Sequence, residues 1–395
     1  MNFDWTEEQK TFQRDVRAFL AENLPESITS GLIEGEARKD EVWTDEIREF
    51  EQKMADKGWQ VLDLPPESGA KSLTAIERYI LLSELDYANA PRFMRATTVS
   101  VIPTLARAGT EENKAMWLDK LATTEVTVSI GYSEPSAGSD LAALRTKAVR
   151  DGDEWVINGM KSWNSRGHTS SHIWLLARTG EPGGRHKGLS MFIVPLDAPG
   201  VEVQQVPSWG DHMFNDVFFS DVRIPENYLI GEMDKGWATV MGAVGGERAF
   251  AGFANGLRMI MDNLIEHCRT TSFEGQVLAS RPEVALGLAK IETDLELADL
   301  MSIDIASRVD AGEQPDTEAL GLKIFTSELR TRMADFAMQV LGLPGLLNND
   351  DPEAPVQGDI EHLYRRGPPT RLGIGANEVL RDVVAQRGLG LPRAK

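Results

Sequence analysis

The spacing of hydrophobic side chains changes twice along the chain. Up to about residue 122 they recur at helical intervals: Phe12, Val16, Phe19 and Leu20, then Leu81, Leu82 and Leu85, then Trp117, Leu118 and Leu121. Side chains three and four apart share one face of a helix, so this block predicts packed amphipathic helices. Thr6 followed by Gln9 predicts a capping box at the first helix, and Pro25 predicts its stop. Pro65 to Ala70, reading P-P-E-S-G-A, predicts a loop inside the block.

From about Val126 the period falls to two. Val126–Ile130, Glu154–Gly159, Ile173–Ala177, Leu189–Pro195, Val201–Val206 and Val217–Phe219 are short β-branched or aromatic runs bounded by Gly, Pro or Asp. Strands this dense, joined by short connections, predict an antiparallel barrel or sandwich. At Gly236 the helical period returns. Trp237, Val240, Val244, Arg248 and Ala251 fall on one face of a long helix predicted to reach Cys268. Leu286–Ile305 and Leu320–Leu341 predict two more helices, the second stopped by Gly342 and Pro344, and a last helix runs from Asn377 to Gly388. The expected fold is α+β in three domains: an N-terminal helical bundle (1–122), a middle antiparallel β barrel or sandwich (123–232) and a C-terminal four-helix-type bundle (233–395).

Charge narrows the chemistry. The chain has 41 Lys and Arg against 61 Asp and Glu, a net −20, which argues against nucleic acid or an anionic membrane as partner. Its longest run free of these charges is the 14 residues Phe336–Asn349, interrupted by Gly and Pro, so no membrane span is expected. The acidic start M-N-F-D-W-T-E-E shows no secretory signal. Cys268 is the single cysteine, so no intrachain disulfide forms, and a reducing cytoplasm is the expected location. With six His, the pair His168 and His172 is the one i, i+4 spacing considered for a metal, and no metal site is expected from it.

Phosphate-loop, serine-hydrolase elbow and zinc-protease motifs are absent, and G-I-G-A-N-E (373–378) lacks the strand–turn–helix context of a dinucleotide fingerprint. Two segments carry candidate chemistry. Ser133-Glu134-Pro135-Ser136-Ala137-Gly138-Ser139-Asp140 follows a strand, where its N–H groups and hydroxyls either bind an anionic or heteroaromatic ligand or form an ordinary loop. Asn158 to Ser165 reads N-G-M-K-S-W-N-S, and Trp163 is either a stacking platform for a flat ring or part of the β core.

Together these motifs resemble the acyl-CoA dehydrogenase family. S-E-P-S-A-G-S-D is similar to its T-E-P-x-A-G-S-D, and N-G-M-K-S-W-N-S to its N-G-x-K-x-W-I-T/S. D-V-F-F-S-D-V-R-I-P-E-N-Y-L-I-G (216–231) resembles the end of its β domain, and A-N-E-V-L-R-D-V-V-A-Q-R-G-L-G-L-P-R (376–393) its C-terminus. The resemblance spans nearly the whole chain. It implies FAD-dependent removal of hydrogen from Cα and Cβ of an acyl-CoA thioester, with an electron-transfer flavoprotein as acceptor and a homotetramer as the assembly. By the same resemblance Ile130, Tyr132, Ser133, Gly138 and Ser139 lie along the FAD, with Ser139 also facing the CoA side of the cleft. Trp163 packs by the isoalloxazine, and Ser165 stands where a Thr hydroxyl usually reaches N5. Arg269, Gln339, Gly342, Asn377 and Glu378 fall at further cofactor positions.

The family's C-terminal catalytic Glu is replaced by Ile374. The alternative family position, the Glu of an E-R pair early in the first helix after the β domain, is Glu247-Arg248. Glu247 borders the apolar stripe of that helix, where partial desolvation raises a carboxyl pKa toward the range of a general base. Glu247 is therefore the candidate base, and Arg248 a candidate contact to substrate. Gly245 replaces an Asp that meets CoA in relatives, Arg269 lies two residues out of register in its segment, and Leu343 replaces a second Gly after Gly342. Such departures also suit a hetero-oligomer with a homologous subunit. Two other readings stay open at this stage: an acyl-CoA oxidase or flavin monooxygenase relative, and a non-catalytic acyl-CoA-binding subunit.

Overall fold

A computed structural model describes residues 5–29, 32–33, 36–37, 44–60, 73–91, 97–181, 184–251 and 254–393, and the side chains of all of these except 32–33, 36–37 and 244–251. The predicted loop at 65–70 lies outside the described residues, as do the side chains of Val244, Glu247, Arg248 and Ala251.

The first helix, α1 (Glu7–Asn23), opens with the predicted capping box: Thr6 Oγ1 accepts from the Gln9 N–H, and the Gln9 side chain accepts from the Thr6 N–H. It stops before Pro25. Helices α2 (Asp45–Asp56) and α3 (Ala75–Tyr87) lie against it, and Val16, Phe19, Leu20, Phe50, Met54, Leu81 and Leu85 make one buried cluster. Helices α4 (Ile102–Ala108) and α5 (Glu111–Ala122) lead into the sheet.

The middle block is one eight-stranded sheet. Its strands are β1 (Val128–Gly131), β2 (Lys147–Asp151), β3 (Glu154–Ser165), β4 (His172–Arg178), β5 (Leu189–Pro195), β6 (Val201–Pro207), β7 (Met213–Pro225) and β8 (Leu229–Ile230). They run in the order β8-β5-β4-β2-β3-β7-β6, with β1 beside β4. The sheet is mixed rather than wholly antiparallel, because β1 pairs parallel to β4 from Val128↔His172 to Gly131↔Leu175. The period-two signal reports an extended backbone but not strand direction, so this difference was invisible in sequence. Both faces of β4 and β5 are covered, which is why I-W-L-L-A and L-S-M-F-I-V read as continuous apolar runs. Trp174, Leu176, Met191 and Ile193 face the helices; Ile173, Leu175, Phe192 and Val194 face a second cluster inside the sheet domain.

The single long helix expected from Gly236 to Cys268 is instead two, α6 (Gly236–Ala251) and α7 (Asn255–Thr270). Helix α8 spans Pro282–Asp310, and α9 spans Asp316–Leu341, ending as predicted at Gly342, which turns to φ 62°. Helix α10 (Asp359–Leu372) was not predicted; it carries Pro368 and Pro369, normally helix breakers. Helix α11 (Asn377–Val383) continues as a wider turn to Gly388. Leu257, Leu264, Cys268, Leu322, Met333 and Leu341 share the core of this bundle. A separate cluster ties the three blocks together. It takes Val101, Ile102 and Trp117 from the first, Ala137, Trp174 and Met191 from the second and Val240 from the third, with Ile130, Tyr132, Trp237 and Ile374 packed on it. Among the described residues no helix is long and apolar enough to cross a membrane.

Candidate active site

The loop after β1 is fastened from behind. Glu134 is only 5 % exposed, and its carboxylate accepts from the N–H groups of Arg145 (2.6 Å) and Thr146 (2.8 Å) and from Lys161 Nζ (2.9 Å). Lys161 is fully buried and also donates to the Tyr132 carbonyl at 3.0 Å. Burial pushes the Glu134 carboxyl up, but the Lys161 charge and the donated hydrogen bonds outweigh it and hold the group below the usual carboxylate range. Burial pulls the Lys161 ammonium down to about 8 against the attraction of Glu134, so near neutral pH both partners are charged. Ser162 N–H to the Ser133 carbonyl (2.9 Å) and Asn164 Nδ2 to the Ile130 carbonyl (2.8 Å) complete the fastening. With its back held, the loop turns Pro135, Ser136, Gly138, Ser139 and Asp140 outward.

Glu134 and Lys161 join the two sequence motifs, and sequence reasoning assigned neither a role. A charge inside each motif was the available signal. Gly159 explains the N-G of the second motif: at φ 145°, a Cβ there would lie 2.6 Å from Thr146 Cα.

Between Lys161 and Asn164 the pairing of β3 with β7 slips. This bulge turns Trp163 out of the sheet at φ 61°, leaving the residue 63 % exposed with its ring edge-on to Phe214 at 5.6 Å. Of the two sequence readings for Trp163, the β-core reading is therefore overturned. Two residues on, Ser165 is exposed, and its Oγ lies 2.9 Å from His212 Nε2. His212 is 5 % exposed and meets Phe214 edge-on at 4.4 Å. The turn carrying His212 is clamped by α10. Arg365 donates to the Asp211 carboxylate (2.5 Å) and to the Trp209 carbonyl, and His362 Nε2 lies 3.1 Å from the Gly210 carbonyl oxygen. An indole face beside an outward hydroxyl, above a fixed loop of small residues, can receive a flat heteroaromatic ring.

Of the other candidates, Ile374 packs on the cluster that holds Ile130, Tyr132 and Val240. Ile374 has φ 57°, a costly conformation for a β-branched residue. Residue 247 lies in α6, two turns beyond Val240. Asn377 is fully buried: its Oδ1 accepts from Lys323 Nζ at 2.8 Å and its Nδ2 donates to Ser327 Oγ at 2.9 Å, while the neighbouring Glu378 points outward. Lys323 also donates to the Gly375 carbonyl at 2.9 Å, so Asn377 braces the turn below Ile374. Arg269, Gln339 and Gly342 are exposed at the ends of α7 and α9, next in sequence to the bundle-core residues Cys268, Val340 and Leu341.

An open polar cleft of about 790 Å³ lies between Arg48–Gln52 of α2 and the turn His168–Ser171. Trp163, Ser165 and residues 133–139 are not part of its lining among the described residues. His168 Nδ1 lies 3.0 Å from Asn215 Oδ1 and His172 Nδ1 lies 2.9 Å from Ser171 Oγ. No group of three His, Cys, Asp or Glu suited to a metal occurs among the described residues.

Three family models match the chain in succession: acyl-CoA dehydrogenase N-terminal domain over residues 6–125, middle domain over 129–222 and C-terminal domain over 234–389. The chain is 34 % identical to acyl-CoA dehydrogenase FadE26 of Mycobacterium tuberculosis, covering 100 % of both. Among solved structures it is similar to the Tcur3481-Tcur3483 steroid ACAD, at 31 % identity and a TM-score of 0.90 with 100 % of both chains covered. The ChsE4-ChsE5 complex from Mycobacterium tuberculosis is similar at 32 % identity and a TM-score of 0.87, again over 100 % of both.

Proposed function

Because this chain belongs to the acyl-CoA dehydrogenase family, we propose that it desaturates a bulky acyl-CoA thioester with FAD seated on Trp163 and Glu247 as the base. The protein is an acyl-CoA dehydrogenase, and members of the family are flavoproteins. The observation that carries the finer reading is Trp163, a bulge-borne indole with 63 % of its surface open beside the Ser165 hydroxyl. Both fit an isoalloxazine and its N5, and loop 130–139 fits the remainder of the ring system. When bound, FAD supplies the acceptor for the β hydride. The work of the chain is then alignment and proton transfer. Glu247 takes the α proton, Arg248 and Ser139 orient the CoA portion, and Ser165 donates toward the ring. Ile374, which has no proton chemistry, fills the space where relatives carry their acid.

The substrate class we favour is a thioester with a steroid-type ring system, on the strength of the printed description of one structural neighbour. We further propose that the chain completes its site with a second chain. Arg269, Gln339 and Gly342 lie exposed at the ends of α7 and α9, which supports a cofactor held between two subunits. Both structural neighbours are described as two-component proteins, and this favours a homologous partner over the expected homotetramer. An electron-transfer flavoprotein is the proposed acceptor, the domain boundaries fall near 122 and 232, and a reducing compartment suits the buried Cys268 thiol.

The test is anaerobic titration of the purified protein, alone and co-expressed with a homologous subunit, against straight-chain, branched and steroid-bearing acyl-CoAs. Flavin absorbance should bleach with the steroid-bearing thioester at stoichiometric amounts. A colourless protein that takes up no FAD, or bleaching by short straight chains only, overturns the reading.

A further inference from the structure

A serine hydroxyl has one proton, so what Ser165 offers outward depends on what lies behind it. Behind it is His212, buried where Ser165 is exposed, with Nε2 2.9 Å from Ser165 Oγ. If Nε2 accepts, the proton of Ser165 is drawn inward and only lone pairs face the ring site. If Nε2–H donates, Ser165 keeps its proton for an outward hydrogen bond. We propose that His212 is a positioning residue, donating from Nε2 to Ser165 and thereby directing the serine proton toward the ligand on Trp163. This rests on reading that ligand as FAD.

The structure restrains His212 far more than a filler of the β domain requires. Its ring meets Phe214 edge-on, and Phe214 is paired across the sheet with Ser165 itself. Its carbonyl accepts from the Ser208 N–H at 3.2 Å, closing the turn. Asp211 and Gly210 are gripped by Arg365 and His362, and Arg365 is in turn held by Glu361 at 2.9 Å. Three consecutive turn residues, Trp209, Gly210 and Asp211, are thus fixed from α10, and the imidazole of the next residue reaches Ser165. A donor placed this way at a site of developing charge acts without reorganising during the reaction.

The experiment uses the flavin-loaded protein and three variants. His212→Phe keeps a ring without the donor, His212→Gln places an amide N–H near the lost Nε2, and Ser165→Ala removes the recipient. His212→Phe should lower the flavin midpoint potential and slow substrate-driven flavin reduction about tenfold, less than the ~10²–10³ seen when an oxyanion-hole donor is deleted outright, since the serine remains. His212→Gln should restore most of both. In a Ser165→Ala background His212→Phe should change neither, because the two act in series. Equal slowing in both backgrounds, or a Gln variant as impaired as Phe, means that His212 only supports the fold and overturns the proposal. Nitrogen-15 NMR of histidine-labelled protein gives a readout that needs no flavin: His212 should be protonated at Nε2. A ring protonated at Nδ1 alone overturns the inference, whereas a protein that binds no FAD but shows the Nε2 proton sinks the functional reading instead.

Discussion

The outward face around Trp163 and the exposed corner at the ends of α7 and α9 are both candidate cofactor surfaces, and they are built in opposite ways. Behind the loop and the turn that flank this face, Glu134 is answered by Lys161 and two N–H groups and Asp211 by Arg365. At the bundle corner Arg269 makes no ion pair among the described residues, Leu343 is 81 % exposed and Leu346 stands exposed beside it. Buried struts cost desolvation and are retained where a surface must hold its shape alone. Exposed leucines of this kind suit a surface that the proposed second chain would cover.

The strongest way to break this contrast is to remove one strut. Lys161→Met should cost about 3–5 kcal/mol, because it leaves Glu134 as an uncompensated buried charge, and should release FAD. Adding Glu134→Gln should recover part of that loss, since it removes the buried charge while the single amide oxygen still accepts from one of the two N–H groups, Arg145 or Thr146. Urea midpoints and flavin retention check both; a single variant within about 1 kcal/mol of the parent means that the pair is not a strut. Next in size is Glu247→Gln, which keeps side-chain volume but removes the basic oxygen. Rapid-reaction flavin reduction should fall by at least ~10²-fold, roughly 2.7 kcal/mol, with FAD still bound. Wild-type reduction with a true substrate would end the assignment. The smallest effect on the chain itself belongs to the corner. Leu343→Asp with Leu346→Asp should leave its stability within about 0.5 kcal/mol yet lower the assembled mass in sedimentation. An unchanged mass would separate the exposed leucines from assembly.

Much of the architecture was legible because it follows from period and punctuation. Leu189–Pro195 was read to the residue, the Thr6–Gln9 box was found, and Gly342 stopped its helix as expected. What escaped obeys other rules. Lys147–Asp151 carries charges at Lys147, Arg150 and Asp151 and leaves Val149 exposed, so it shows no apolar alternation. Asp359–Leu372 hides behind Pro368 and Pro369, which argue against a helix until tertiary packing overrules them. The exposed side chain of Trp163 depends on a bulge that no alternation rule locates. The pairings Glu134–Lys161 and Ser165–His212 join residues 27 and 47 apart, and only the folded sheet brings them together.

The junction cluster also has a temporal side. Its members run from Val101 to Ile374, whereas the cluster of α1 to α3 lies within the first hundred residues. At ~5–20 residues per second of synthesis, roughly a quarter of a minute to a minute separates the emergence of Val101 from that of Ile374. Within that interval Trp117 can already meet His172 and Tyr228 of the middle block edge-on, and Ile374 is the last member to arrive. A nascent chain stalled short of residue 373 would therefore carry a finished N-terminal bundle and a junction that lacks its final member.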